Sequence, residues 1–232
     1  MKFEYLLFNL IIFSGPIFFG LQPKYNFRDK FLPALISVFI AAIPFIIWDS
    51  IVTGIHWNFN NNFILGIKIF SLPIEEIMFF FSVPLACLFL WEMIIQNSKD
   101  KELIKKSYFQ AILPLLPILS GAFLYLDKIY TSLVFLSIFF ISELDLKLTC
   151  IFKRKQFLVL MLMVVGFILV FNGYLTARPV VLYSKEFITN IRIITIPIED
   201  FGYGISLIYL ATIVYEKLKK KFNVREKTLS FK

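Results

Sequence analysis

LPIEEIMFF at residues 72–80 returns as IPIEDFGYG at 196–204, and this pair decides how the chain is read. In each copy a proline is followed by isoleucine and two adjacent acids, Glu75-Glu76 and Glu199-Asp200, and then by a long apolar run. At the same offset Trp91-Glu92 falls on Tyr215-Glu216. A self-similarity at fixed spacing over that distance marks a duplicated structural unit.

The surroundings set the class. The 232 residues are 59% hydrophobic and only 17% charged, with 29 Phe and a mean hydropathy of +0.78. Soluble domains carry about 45–50% apolar and about 25% charged residues, so this composition predicts an all-α polytopic membrane helix bundle. A spanning helix needs about 20 mostly apolar residues. Seven transmembrane helices are expected, near 3–20, 31–48, 75–95, 109–126, 129–146, 156–173 and 199–216. Pro114 and Pro117 predict a kink in the fourth, and Asp127-Lys128 a tight turn after it. The start, MKFEYLLFNLIIFSGPIFFG, has a weak positive region and no A-x-A cleavage site, so it reads as the first span and not as a signal peptide.

The repeat carries span one onto five, two onto six and three onto seven, which leaves span four as a connector. The expected organisation is 3 + 1 + 3, with a first unit at 1–98, a connector at 99–127, a second unit at 128–218 and a basic tail at 219–232. Units that start four spans apart share an orientation, which predicts a parallel repeat about an axis along the membrane normal. Most of the 24 Lys and Arg residues fall after spans one, three and five and in the tail. The opposite side holds only Lys2, Lys68, Lys128, Arg178, Lys185 and Arg192. The positive-inside rule then predicts a cytoplasmic C-terminus and an outside N-terminus in a multi-pass cell-membrane protein. The tail KLKKKFNVREK reads as an anchor at anionic headgroups, so no nucleic-acid partner is expected from the net charge of +8.

Several chemistries have no residues to carry them. His56 is the single histidine, and Cys87 and Cys150 have no metal-ligand spacing. No G-x-G-x-x-G, no P-loop and no Asp-rich diphosphate–magnesium motif occurs. The expectation is no metal and no cofactor.

The acids have two readings. Pro73 and Pro197 suit the first turn of a helix, where the helix dipole favours carboxylates that need no further role. Against that, the acids come in pairs, the pairs recur, and acids within a membrane are costly enough to be functional candidates. Each pair follows a long loop, 49–72 or 174–196, and loops of that length are often functional. Adjacent helical residues point about 100° apart, so one acid of each pair can face a shared cavity. A carboxylic acid in a dry pocket is a proton donor, since burial and a like-charged neighbour raise carboxyl pKa values by several units in general. Trp57, Phe59, Phe79, Phe80 and Tyr203 are candidates to line the cavity and shield a cation. The alternative for them is core packing or lipid contact. Acid, base, aromatic walls and no redox group point to proton-initiated rearrangement of an apolar alkene.

LPIEEIMFFFSVPLACLFLWE, with Trp48-Asp49 and HWNFN upstream, resembles the small membrane lycopene cyclases. These are the bacterial two-subunit type, its fused forms and the cyclase part of fungal bifunctional enzymes. NGYLTARPVVLY and RIITIPIEDFGYGISLIYLATIVYE look like the second subunit, so the resemblance covers nearly the whole chain as a fusion of both. It implies a lycopene substrate held in the bilayer, protonation of the terminal double bond by a carboxylic acid, ring closure through a tertiary carbocation, and proton loss to a β-ring, with no net redox. It carries the acid and base roles onto Glu75, Glu76, Glu199 and Asp200 without saying which is which. The ring type, the number of ends cyclised, self-association and contact with other carotenoid-pathway enzymes stay open.

The halves are not identical. Trp48-Asp49 stands opposite Asn172-Gly173, Phe80 opposite Gly204 and Pro84 opposite Ile208, which favours one composite site at the repeat interface. Arg192 is placed to pair with Glu199 or Asp200. Glu92 and Glu216, at the cytoplasmic helix ends, read as anchors or inter-helix hydrogen bonds. The rival reading is a transporter, which parallel repeats and membrane acids also fit. A transporter path needs several polar groups on different spans, and spans two, four and six carry almost none. A membrane scaffold without catalysis has no need of paired acids.

Overall fold

The computed structural model describes residues 2–222. Of the basic tail, residues 223–232 lie outside the described residues. The helices are α1 (Glu4–Gly20), α2 (Phe31–Val52), α3 (Ile74–Asn97), α4 (Lys106–Ile112), α5 (Leu115–Tyr125), α6 (Ile129–Leu148), α7 (Lys155–Phe167), α8 (Gly173–Ala177) and α9 (Ile198–Lys221). The protein is a polytopic helical bundle, and among the described residues five helical stretches are both long and apolar enough to cross a membrane. These are Arg28–Val52, Ile74–Asn97, Lys106–Tyr125, Ile129–Leu148 and Lys155–Ala177. The 17-residue α1 is apolar but shorter. The last helix carries Glu199, Asp200, Glu216 and several lysines, so its hydropathy alone does not mark it as a span.

Each boundary has a local cause. Pro73 and Pro197 sit just before α3 and α9 in extended conformation, where a missing N–H costs nothing. Pro114 and Pro117 remove two donors from the ladder and divide the fourth stretch into α4 and α5. Asp127, with φ of 57°, makes the tight turn into α6. A π-helical stretch, Ile168–Asn172, joins α7 to α8.

The packing is paired. α1 lies on α3 as α6 lies on α9, α2 lies on α9 as α3 lies on α7, and α3 and α9 touch each other. Small residues let the backbones approach, as is usual between membrane helices: Ala34, Ala41 and Ala42 of α2 are fully buried. Gly202 of α9 lies so close to α6 that a Cβ there would overlap Val134. α5 packs on α6 and is mostly exposed.

The two long loops meet at one end of the bundle. Strand β1 (Trp57–Phe59) of the first pairs antiparallel with β4 (Val181–Tyr183) of the second, Trp57 opposite Tyr183. Each loop then folds a short hairpin onto its acid motif. In the first, β2 (Lys68–Ile69) pairs with β3 (Leu72–Pro73), and in the second β5 (Arg192–Ile193) pairs with β6 (Ile196–Pro197). The registers, Lys68 with Pro73 and Arg192 with Pro197, correspond across the repeat. Phe70 and Ile194, at equivalent tips, both hold left-handed backbone, with φ of 50° and 61°. Bulky residues rarely adopt that conformation, and it recurs at the equivalent position, although the next residue is left-handed only in the first turn, at Ser71 with φ of 70°.

Candidate functional site

The two acids of each motif diverge, and they do so in the same way in both halves. Glu75 Oε1 accepts the backbone N–H of Leu65 at 2.6 Å. Glu199 Oε1 accepts the N–H of Thr189 at 2.7 Å, the residue equivalent to Leu65, together with the hydroxyls of Thr189 at 2.8 Å and Thr131 at 2.7 Å. The first acid of each pair therefore fastens its own loop to the helix that follows. Neither lines the central cavity.

The second acids do. Glu76 and Asp200 line one cavity between α3, α7 and α9, roofed by the β1–β4 ribbon. A tyrosine from the first helix of each unit donates to each: Tyr5 Oη to Glu76 Oε2 at 2.5 Å and Tyr130 Oη to Asp200 Oδ1 at 3.1 Å. Asp200 Oδ2 also receives Tyr183 Oη at 2.7 Å and Asn172 Nδ2 at 3.1 Å. Asn172 reaches it from the π-helical stretch, a distortion often found where a helix serves a site.

A third acid joins them. Asp49, near the end of α2, lines the same cavity and is 2% exposed, and its Oδ2 has no hydrogen-bond partner. It lies within electrostatic reach of Glu76 and Asp200. An unpaired buried carboxyl oxygen costs about 1–3 kcal/mol or more, so the fold holds this group against a penalty. No cation is paired with any of the three among the described residues. The described His, Cys, Asp and Glu residues form no group of three or more placed to hold a metal.

The aromatic candidates divide. Trp57, Phe59, Phe79 and Tyr203 line the cavity with Tyr5, Tyr130 and Tyr183. Phe80 is buried in the core beside them, its ring centroid 6.4 Å from that of Tyr203. Arg192 forms no ion pair with Glu199 or Asp200. It donates to Thr195 O at 2.5 Å and lies over the Tyr183 ring, 5.7 Å from its centroid. It lies within electrostatic reach of Asp200 without pairing with it. His56 stacks on Phe187 with ring centroids 4.2 Å apart, outside the cavity lining, and burial holds its imidazole below the usual value.

Sequence reasoning missed Asp49, Tyr5, Tyr130, Tyr183 and Asn172 as site residues. Signals for three were present. Asp49 is an acid closing an apolar run on the same side as both motifs, and Tyr5 and Tyr130 occupy comparable places in their units.

At the opposite end the remaining repeat acids have a different setting. Trp91 Nε1 donates to Glu216 Oε1 at 2.8 Å, and Tyr215 Oη donates to Glu92 Oε1 at 2.9 Å, so each half's aromatic residue binds the other half's acid. Lys219 bridges both acids at 2.9 Å, Lys30 pairs with Glu92, and Arg154 stands 4.0 Å from Glu216.

A family model described as Lycopene cyclase matches residues 2–94 and 127–218. No curated protein and no solved structure matches the chain. The matched segments hold both acid motifs and leave out the α4–α5 region.

Proposed function

The chain belongs to the lycopene cyclase family, and from that premise we propose that its central cavity forms β-rings on lycopene by moving one proton in and one proton out. Membership makes it a carotenoid cyclase acting on a carotenoid in the membrane. The observation that carries the finer reading is the set of three carboxyl groups, Asp49, Glu76 and Asp200, gathered without a cation in an aromatic-walled cavity.

The hydrogen bonds favour one assignment of the roles. Asp200 accepts from Tyr130, Tyr183 and Asn172, three donors that hold a carboxylate in place. It is the base. Asp49 has a free oxygen, and Glu76 receives only Tyr5, so this neighbouring pair holds the proton to be donated. The acid O–H adds its proton to the terminal double bond of the polyene and leaves a tertiary carbocation. The neighbouring double bond attacks that carbon, closes the ring and moves the positive charge to a ring carbon. Asp200 removes a proton from the adjacent carbon, the ring double bond forms, and the proton returns to the donor pair through the cavity. Substrate and product are isomers, so no electrons are exchanged. Trp57, Phe59, Phe79 and Tyr203 keep water from the cation, and their faces stabilise it by about 0.5–2 kcal/mol each.

Glu75 and Glu199 then act as positioning residues that hold the loops over the site. The organisation supports one composite site: two units, 1–98 and 128–218, in a parallel 3 + 1 + 3 arrangement with 99–127 as connector. Equivalent hairpins, equivalent loop staples and a β-ribbon between the halves favour it. The charge distribution favours the cavity end outside and the Lys30–Glu92–Lys219 end in the cytoplasm.

The test is expression in a bacterium that accumulates lycopene, with the pigments separated by chromatography. β-ring product is expected. Unchanged lycopene with good membrane expression, or an ε-ring product, overturns this reading.

A further inference from the structure

The acid cavity has a volume of about 100 Å³, below the ~300–1,000 Å³ of sites that enclose a drug-sized ligand. It holds the end of a long polyene, and the rest of the chain needs another place. Beside it lies a groove of about 350 Å³ on the outer surface of the bundle, over α9 between α2 and α6. Pro44, Phe45 and Trp48 form one wall, and Leu133, Leu136 and Phe140 form the other.

Three observations fix what the groove takes. First, it adjoins the acid cavity: Tyr130 and Tyr203 line both, with ring centroids 5.9 Å apart, and form the partition between them. Second, its lining is almost wholly apolar, and its hydroxyls are engaged within the protein. The Tyr130 hydroxyl donates to Asp200, that of Tyr203 to Phe45 O at 3.4 Å, and Ser137 bonds Val134 O and Ser206. Third, its rim is open to the membrane, with Pro44 and Phe140 exposed.

We propose that the α2–α6–α9 groove is the binding subsite for the unreacted length of a long acyclic isoprenoid polyene, whose end passes Tyr130 and Tyr203 into the acid cavity. The proposal rests on the cyclisation reading for the identity of that end. Turning the Tyr203 ring aside opens the partition, and the polyene that follows the end group keeps the cavity dry. A phospholipid acyl chain is the competing occupant. It has no reason to be selected by substrate length.

The experiment compares two acyclic substrates with the same end group, lycopene and an analogue with about half its polyene length. The purified full-length protein is used in detergent, as wild type and as L136W and L210F, which fill the groove from different helices. L162W, on the exposed face of α7 away from both cavities, is the control. Gel filtration identifies any variant that does not fold, and the other filled variant then carries the comparison. The expected result is that kcat/KM for lycopene relative to the short analogue falls at least about tenfold in the filled variants and stays put in L162W. Equal loss on both substrates, or full lycopene turnover in the filled variants, overturns the proposal and leaves the acid cavity reading intact. If the wild type cyclises neither substrate, the cyclisation reading fails instead. The groove is then judged by the induced circular dichroism of bound lycopene in its visible band. A band lost in L136W and L210F supports the subsite, and no band, or an unchanged one, rejects it.

Discussion

The two ends of this bundle hold the same kind of residue in opposite conditions. At one end Glu92 and Glu216 are buried, but Lys30, Lys219 and Arg154 surround them and Trp91 and Tyr215 tie them across the repeat. At the other end Asp49, Glu76 and Asp200 share a cavity with tyrosines, an asparagine and no cation. The acids of one end are ion-paired across the halves, whereas those of the cavity end form no ion pair among the described residues, and on the proposed reading it is these that exchange protons. Burial alone does not separate structure from chemistry here, because both ends are buried. The identity of the partners does.

The largest expected effect lies at the cavity end. If Asp200 and Glu76 move the proton as proposed, D200N and E76Q lower turnover by about 10²–10⁴-fold, the usual range for a positioned acid or base. Membrane abundance stays near wild type. Initial rates of pigment formation normalised to protein level measure both. At the other end the pattern inverts. E92Q leaves Lys30 and Lys219 buried with less counter-charge, and breaking a buried pair costs about 3–5 kcal/mol. The variant shows a lower unfolding temperature in detergent and lower abundance, while the molecules that fold keep their specific activity. A loss of specific activity at full abundance would erase the distinction between the ends.

Smaller changes sharpen the contrast within the cavity. Y5F and Y130F each remove one hydrogen bond to an acid, worth about 1.5–3 kcal/mol, so each lowers stability by up to that amount, read by unfolding in detergent, and on the proposed reading lowers kcat by about tenfold or more. The smallest effect concerns His56. Burial holds it below its usual value, so the folded protein keeps it neutral while the unfolded chain takes up a proton below about pH 6.5. Its contribution to stability is complete above that pH and declines as pH falls through it. H56Q should therefore lose less thermal stability than wild type between pH 7.5 and pH 5.5, read by unfolding in detergent.

Much of this was legible in the sequence for a physical reason. Long apolar runs have few other fates, and the expected spans at 31–48, 75–95 and 129–146 lie within helices Phe31–Val52, Ile74–Asn97 and Ile129–Leu148. The seventh expected span, 199–216, lies within Ile198–Lys221, a helix whose acids and lysines keep hydropathy alone from marking it as a span. The division of work within each acid pair was not legible. Adjacent helical positions differ by about 100°, so the pattern says that one acid faces inward without saying which. That answer depends on where the preceding loop brings the amides of Leu65 and Thr189. The pairing of Trp57 with Tyr183 joins loops of different halves and leaves no local signal. Arg192 shows the converse. Its spacing suggested an ion pair, and the hairpin turns it onto the Tyr183 ring.

The central claim is that the second acid of each motif does the chemistry and the first holds the loop. The most direct measurement compares E75Q, E76Q, E199Q and D200N in a lycopene-accumulating bacterium, with cyclic carotenoid quantified by chromatography against protein level. Gln at positions 75 and 199 keeps an oxygen for the loop amide, so E75Q and E199Q should still form cyclic product, while E76Q and D200N should leave lycopene unchanged. Retained product in E76Q and D200N, with loss in E75Q and E199Q at equal protein level, would contradict the account.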